Sequence, residues 1–367
     1  MTARTEFIRS FQKKPSLGTR ESLISRSREA NRAFRHVTEA EIAELVQDAL
    51  TGDDDMQEVL PALACLQSGS LKPFHHRLID REIVYPGLIY HDADEDCALR
   101  FVDLMRTSEN RLRSNHLLLC MAWAGNAEVQ KAFSRWRESP PAWAADLHVP
   151  PHAYADEAGW ELTPDGQRRD LFFRTVRPLV KSGDAANSLV GVSVSIPTDE
   201  TCPWCERLLV SLFDIDTRSE TAAFLGLGGK ALRVTTCDVC CAFGTIFSKN
   251  DGKGGSKWHT ANVRPNYLPD PSEWDAFPER PLVLSGERRH FMESASWSMV
   301  PGVSFSQMGG LPTWVQDAEY PLCPECSKKM LFVGQISNED FDQMSEGIEY
   351  AFVCRACHVT AVTYQQS

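Results

Sequence analysis

Eight of the chain's twelve cysteines stand as four CxxC pairs, Cys202/Cys205, Cys237/Cys240, Cys323/Cys326 and Cys354/Cys357. A two-residue spacer folds into a tight turn that aims both sulfurs at one point, and two such turns complete the tetrahedron zinc prefers. The set therefore predicts two four-thiolate zinc sites. Thiol–disulfide exchange is the competing chemistry, and Cys202-Pro203-Trp204-Cys205 is the pair best suited to it. Redox pairs of that kind occur singly beside a βαβ pattern, which is absent here. Four thiolates close the shell and leave nowhere for water or substrate, so the expected role of the metal is structural. Each ion then adds on the order of 10 kcal/mol to folding, and chelation should unfold this half of the chain.

An internal repeat assigns the pairs to sites. Leu209, Leu212 and Ile215 follow the Cys202 pair at the same offsets at which Met330, Val333 and Ile336 follow the Cys323 pair. Each half continues with a strand-like run (Leu232 to Thr236; Tyr350 to Val353), a second pair, and another strand-like run (Thr245 to Phe247; Thr360 to Thr363). Cys202, Cys205, Cys237 and Cys240 form one expected site, and Cys323, Cys326, Cys354 and Cys357 the other. Cys241 is an alternative to Cys240, although the matched spacing favours Cys240. His358 occupies the equivalent place after the last pair and reads as a neighbouring or surface group.

The elements that carry these pairs sit in a chain of ordinary globular composition, 43% hydrophobic and 24% charged over 367 residues, enough for two or three domains. No apolar run is long enough for a membrane span and no signal-peptide core is present, so the expected compartment is the cytoplasm, where thiols stay reduced. Residues 1–37 form a basic arm with nine Lys/Arg against Glu6, Glu21 and Glu29, leaving the remainder at about −18 of the net −12. That arm reads as a solvated tail or a docked surface helix. The acidic body disfavours nucleic acid, which demands a basic footprint. It suits a basic protein partner, or simply keeps the protein soluble.

Residues 38–140 carry a helical pattern, opened by a Thr38/Glu41 capping box ahead of Ile42, Leu45, Val46 and Ala49 on one face. Cys97, Phe101, Leu104 and Met105 repeat that spacing, Leu117 to Trp123 reads as a buried helix, and Gly125-Asn126 separates it from the helix of Val129, Phe133 and Trp136. Short helix pairs of this kind are HEAT-like or form a bundle. Cys65, Cys97 and Cys120 read as small buried hydrophobes rather than ligands. Residues 141–190 form a Pro- and aromatic-rich connector; the prolines between His148 and His152 forbid the helix that would pair them on a metal. The fold class that results is α+β: an N-terminal all-α domain, then a duplicated β-rich domain over 191–367 with two zinc sites.

From about residue 190 onward the chain resembles the YwqG-like family, a bacterial domain related to the programmed cell death protein 2 group. The matching stretches are the paired knuckles, Met308-Gly309-Gly310-Leu311-Pro312-Thr313-Trp314-Val315-Gln316, Tyr320-Pro321-Leu322-Cys323-Pro324-Glu325-Cys326, and Phe332-Val333-Gly334-Gln335. The resemblance implies a duplicated β-rich zinc domain without established catalytic residues, and its eukaryotic relatives suggest ribosomal-protein chaperoning as a style of function. Gly309-Gly310 reads as a turn, and Trp314 as a core anchor or the lip of a peptide site. Trp258, Trp274 and Trp297 lie between the repeats, and an exposed subset would make a binding hot spot.

Enzyme motifs are missing. Leu225-Gly226-Leu227-Gly228-Gly229-Lys230 lacks the Walker spacing and hydroxyl and reads as a turn before Leu232; Asp251-Gly252-Lys253-Gly254-Gly255 reads as a hairpin loop rather than a calcium loop. No GxSxG, HExxH or deaminase pattern occurs. Arg288-Arg289-His290 is a small basic patch able to hold a carboxylate or phosphate, or a solvated loop. The expected protein is a non-enzymatic, zinc-stabilised, chaperone- or adaptor-like module for a basic client, with Trp314, Arg288 and Arg289 as candidate contacts. The alternatives are an immunity protein for a basic toxin, and an RNA-processing enzyme or hydrolase whose site no motif reveals.

Overall fold

The computed structural model describes all residues except 1, 14–18, 53, 109, 184–186, 269, 271–279 and 342–345. The chain divides into two compact units, one of Met1–Asp170 with Met292–Val303, the other of Leu171–Phe291 with Ser304–Ser367. The class is α+β, with helices first and a β-rich region after.

Polar caps and apolar stripes set the helices of the first unit: α1 (Ala3–Lys13), α2 (Arg20–Arg35), α3 (Glu39–Thr51), α4 (Asp54–Gln57), α5 (Val59–Leu66), α6 (His75–Asp80), α7 (Glu95–Arg106), α8 (Arg111–Ala124) and α9 (Ala127–Glu138). Thr38 and Glu41 close a reciprocal capping box on α3, while Asp94, Asn110 and Asn126 cap α7, α8 and α9 through their side chains. Gly125 adopts φ 52°, a left-handed value, and ends α8 one residue before Asn126 starts α9. Buried Leu117, Leu118, Met121 and Trp123 make the C-terminal half of α8 apolar, while its first turn carries exposed Arg111 and Leu112.

The first 37 residues are not a bare arm. They form α1 and α2, whose Ile8, Ala30 and Phe34 are fully buried. Helical spacing hides these few apolar residues among the charges, and the charges themselves find partners. Arg4 pairs with Glu41 at 2.7 Å, Arg9 with Glu44 and Asp48 at 2.7 and 2.6 Å, and Arg35 with the buried Glu293. Residues 141–190 are shared between the units. Short 3-10 turns at Ala142–Asp146 and Pro151–Ala158 and the hairpin of β1 (Trp160–Leu162) and β2 (Arg168–Asp170) belong to the first, where Trp160 donates its indole N–H to the Ala122 carbonyl at 2.8 Å.

The second unit is built of antiparallel strands: β3 (Phe173–Lys181), β4 (Val192–Thr201), β5 (Leu208–Asp216), β6 (Ala231–Thr236), β7 (Ile246–Asn250), β8 (Ser256–Trp258), β9 (Leu282–Leu284), β10 (Gln307–Gly310), β11 (Leu331–Ser337), β12 (Ile348–Cys354) and β13 (Val359–Gln365). An eight-stranded sheet runs β8-β7-β13-β12-β11-β10-β3-β9, and a three-stranded sheet runs β4-β5-β6. One core joins them: Leu209, Leu212, Ile215 and Val234 of the small sheet pack with Met308, Val333, Ile336, Ala351 and Val362 of the large one. Every residue of β12 is buried, as expected for a central strand covered on both faces.

Two corresponding bulges explain the three-residue spacing shared by the repeats. Pairing of β5 with β6 shifts register between Ser211 and Phe213, and pairing of β11 with β12 shifts between Phe332 and Gly334. Leu212 and Val333 are the extra residues, so the alternation resets at the same offset in both halves. Gly309-Gly310, expected as a turn, lies instead in β10 at a bulge against β3, with φ of 73° and 77°. A Cβ on Gly309 would stand 2.0 Å from the Thr175 carbonyl oxygen, so close strand approach, not chain reversal, demands the glycine.

Candidate metal centres

Each knuckle is the turn or exit of a strand. Cys202 and Cys205 make the turn from β4 to β5, Cys237 and Cys240 follow β6, Cys323 and Cys326 precede β11, and Cys354 and Cys357 join β12 to β13. The first knuckle of each repeat closes with the same two backbone bonds. Cys202 and Cys323 donate their N–H to Arg207 and Lys328 at 2.7 and 2.9 Å, and Glu206 and Ser327 donate back to Cys202 and Cys323 at 2.9 and 2.8 Å. The residue after the second cysteine is left-handed in three knuckles, Glu206 at φ 63°, Ser327 at 58° and His358 at 52°. None is glycine, and this strain is a feature the spacing did not announce. His358 is otherwise an exposed residue whose carbonyl accepts from Asn250.

The sulfurs converge as two quartets, Cys202/Cys205/Cys237/Cys240 and Cys323/Cys326/Cys354/Cys357, with all ligand atoms of each within 4.8 Å of one another. Sulfur pairs measure 3.8 Å for Cys202–Cys240, 3.5 Å for Cys205–Cys237 and 3.7 Å for Cys326–Cys354. Zinc–sulfur bonds of about 2.3 Å set tetrahedral edges of about 3.8 Å, so both quartets fit a four-thiolate ion. Backbone N–H groups of Trp204 and Cys240 point at the sulfurs of Cys202 and Cys237, at 3.4 and 3.5 Å. Cys241 does not enter: its sulfur turns to the Asp238 carbonyl at 3.5 Å and the Glu349 carboxylate at 3.8 Å.

Electrostatics favours a cation at both points. Hydrogen bonds from Cys237 and Cys240 hold the Cys202 thiol well below its ordinary pKa, and the thiolate so favoured pushes Cys240 and Cys237 up. In the second quartet the Lys328 N–H lowers Cys326, while burial raises Cys354 and desolvation, with its sulfur neighbours, raises Cys357. Without a cation, each added negative charge repels the next at sulfur–sulfur distances. A divalent ion removes that conflict and lets all four ionise.

The two sites differ in setting. Cys202, Cys205, Cys237 and Cys240 belong to the hydrophobic core of the unit, and a buried ionic cluster lies beside them: Arg280 pairs with Glu349, and Arg207 with Asp238 at 3.7 Å. Burial raises the Asp238 and Glu349 carboxyls, and these arginines offset part of that shift. The second quartet is more open, with Cys326 and Cys357 half-buried. Lys249 ties its two knuckles together, donating to Glu325 at 2.6 Å and to the Cys357 carbonyl at 2.7 Å. No sequence pattern marks Lys249, Arg280 or Glu349, because their partners lie far away along the chain.

The other candidate residues are placed individually. Trp314 is half-buried among Tyr320, Tyr350 and Phe352, with ring centroids 5.3, 4.7 and 6.3 Å away, and it serves that aromatic cluster. Arg289 turns inward and donates to the Ser304 carbonyl and the Gln307 amide oxygen at 2.7 and 2.6 Å, which leaves Arg288 as the exposed arginine of the patch. Trp258 meets Trp204 edge-on at 5.0 Å. Trp297 is half-buried, Trp274 lies outside the described residues, and no described tryptophan is exposed. The exposed large apolar residues include Ile196, Leu208, Val190, Leu322, Val263 and Tyr267 instead. Cys65, Cys97 and Cys120 are fully buried.

No helix among the described residues is long and apolar enough to cross a membrane. No family model and no solved structure matches the chain. Over 320 residues the chain is 35% identical to the uncharacterized protein YpfL of Salmonella typhimurium strain LT2, covering 86% of this chain and 73% of that protein. Identity at that level over that share of both chains shows common descent, and the chain belongs to the same family as YpfL.

Proposed function

We propose that the two quartets hold structural zinc ions and that the protein is a non-enzymatic, cytoplasmic binding module for a basic protein client, adaptor- or chaperone-like in action. One observation carries the reading: the hairpin of β4 and β5, whose turn is the first knuckle, exposes Ile196 and Leu208 beside the exposed carboxylates Asp199, Glu200 and Glu206. Apolar side chains flanked by acidic groups suit a partner with apolar contacts and a cationic rim. A metal ion at the turn would hold that surface rigid, which lowers the entropic cost of capture. The acidic balance of the chain beyond its basic helices would speed encounter with a cationic client. The resemblance to the YwqG-like family and its chaperone-like relatives points the same way.

The test compares the intact protein with the variant Asp199→Asn/Glu200→Gln/Glu206→Gln/Leu208→Ser, each immobilised and exposed to cell extract. The wild type should retain one basic protein in stoichiometric amount, released by salt, and the variant should lose most of it while keeping its metal and its circular dichroism. Retention of the same partner by the variant, or an acidic partner on the wild type, would overturn the reading.

A further inference from the structure

His76, Asp94 and Cys97 in the helical unit form a third convergence of donors, with ligand atoms within 4.8 Å of one another. The geometry points to an open zinc site here, with three protein ligands and a fourth position left to water. The inference is independent of the client-binding reading and of the two quartets.

The donors come from two elements. His76 lies in α6, Asp94 is the N-cap of α7, and Cys97 follows it in the first turn. The His76 Nε2 stands 3.3 Å from Asp94 Oδ2 and 3.7 Å from the Cys97 sulfur. Both contacts converge on one ring nitrogen, and the 3.3 Å contact is long for a charge-assisted bond to a carboxylate. They match coordination edges better. Zinc bonds of about 2.0–2.1 Å to nitrogen and oxygen and about 2.3 Å to sulfur give tetrahedral edges of about 3.3 and 3.6 Å.

The surroundings fix this arrangement in advance. Asp94 Oδ1 accepts the Cys97 N–H at 2.8 Å, which leaves Oδ2 facing His76. The Asn126 amide donates to the Ala93 and Asp94 carbonyls at 3.1 and 2.9 Å and holds the entry to α7 in place. Asp92, Asp94, Glu95 and Asp96 concentrate negative charge along one short run, with Lys72 and Arg100 as the cations facing it. Borderline zinc accepts the mixed sulfur, nitrogen and oxygen set, whereas magnesium and calcium favour oxygen alone. Cys97 is buried, but the His76 and Asp94 side chains are 46% and 60% exposed, so the remaining position opens to solvent. That coordination is labile and can bind water or an anionic ligand, as the closed quartets cannot.

The test uses the full chain after dialysis that leaves only tightly held metal, titrated with Zn2+ in competition with a chromophoric zinc indicator. The wild type should take up one further equivalent. His76→Ala, Asp94→Asn and Cys97→Ala should each weaken that step by at least about tenfold without changing the tightly held metal. Asparagine keeps the helix cap and His76 is exposed, so two of the three variants keep the fold whatever the cysteine change does. Cobalt in place of the added zinc should show a sulfur-to-metal charge-transfer band that Cys97→Ala abolishes. No uptake beyond the tight metal, or uptake with unchanged affinity in His76→Ala and Asp94→Asn, would overturn the site. A tight-metal count other than two would bear on the quartets alone, because the inference rests on the difference between wild type and variants.

Discussion

Stripping the metal from the second quartet before the first is the outcome the burial pattern demands. All four sulfurs of the first quartet sit in the unit's core at no more than 5% exposure, whereas Cys326 and Cys357 of the second are half-buried. A chelator must reach the ion or wait for the protein to open, so the half-open quartet should release first and the core quartet only on unfolding. Structural four-thiolate zinc contributes on the order of 10 kcal/mol, comparable to the whole stability of a domain. Loss of one donor by Cys326→Ser should therefore cost on the order of 3 kcal/mol or more, and Cys205→Ser should cost more still by also leaving a polar group in the core. The assay is zinc release to an indicator under excess chelator, followed in parallel by circular dichroism and tryptophan fluorescence. Trp204 meets Trp258 edge-on beside the first quartet, while Trp314 lies against Tyr350 in β12, so emission reports on both repeats. Two phases of one tightly held ion each are expected, with the fast phase absent in Cys326→Ser. Release of both ions in one phase, release with no loss of structure, or a tight count other than two would refute the reasoning.

Three further outcomes follow from local geometry. Gly309→Ala should destabilise the β-rich unit by about 3 kcal/mol or more in denaturant titration, since its Cβ meets the Thr175 carbonyl oxygen at 2.0 Å and its φ is 73°. Ser327→Gly should stabilise by about 0.5–1 kcal/mol by relieving a left-handed backbone at φ 58°, with metal content unchanged on elemental analysis. Hydrogen bonds from Thr2, Thr38 and Arg4 hold the Glu41 carboxyl down at about 2. Its contribution is thus fully present above the ordinary glutamate range and lost as pH falls toward 2. Glu41→Gln should cost about 1–2 kcal/mol at neutral pH and flatten the acid limb of thermal stability between pH 5 and 2.

Local pattern reached far into the structure where neighbours along the chain decide it. The Thr38/Glu41 capping box, the Gly125-Asn126 break and the turns at Gly226 and Asp251 are settled within a few residues, and the structure holds each of them. The basic arm carries less local signal, because Ile8 and Phe34 are too sparse to mark a buried face until α3 supplies acidic partners for the arginines. Gly309-Gly310 looked like a turn because a glycine pair says only that the backbone needs freedom. Strand β3, more than a hundred residues earlier, makes that freedom a matter of close approach. Arg289 looked like a surface cation until Ser304 and Gln307 drew it inward.

Cysteine spacing by itself determined which sulfurs belong together, because a CxxC turn and a matched repeat are properties of the chain alone. Tertiary structure decided everything that depends on distant partners: that one quartet is buried in the core and the other half-open, that Cys241 turns to Glu349, and that His76 meets Asp94 and Cys97. The physical reason is range. Turn geometry and capping act over a few residues, while burial and charge pairing act over a few ångströms of space and are indifferent to separation along the sequence.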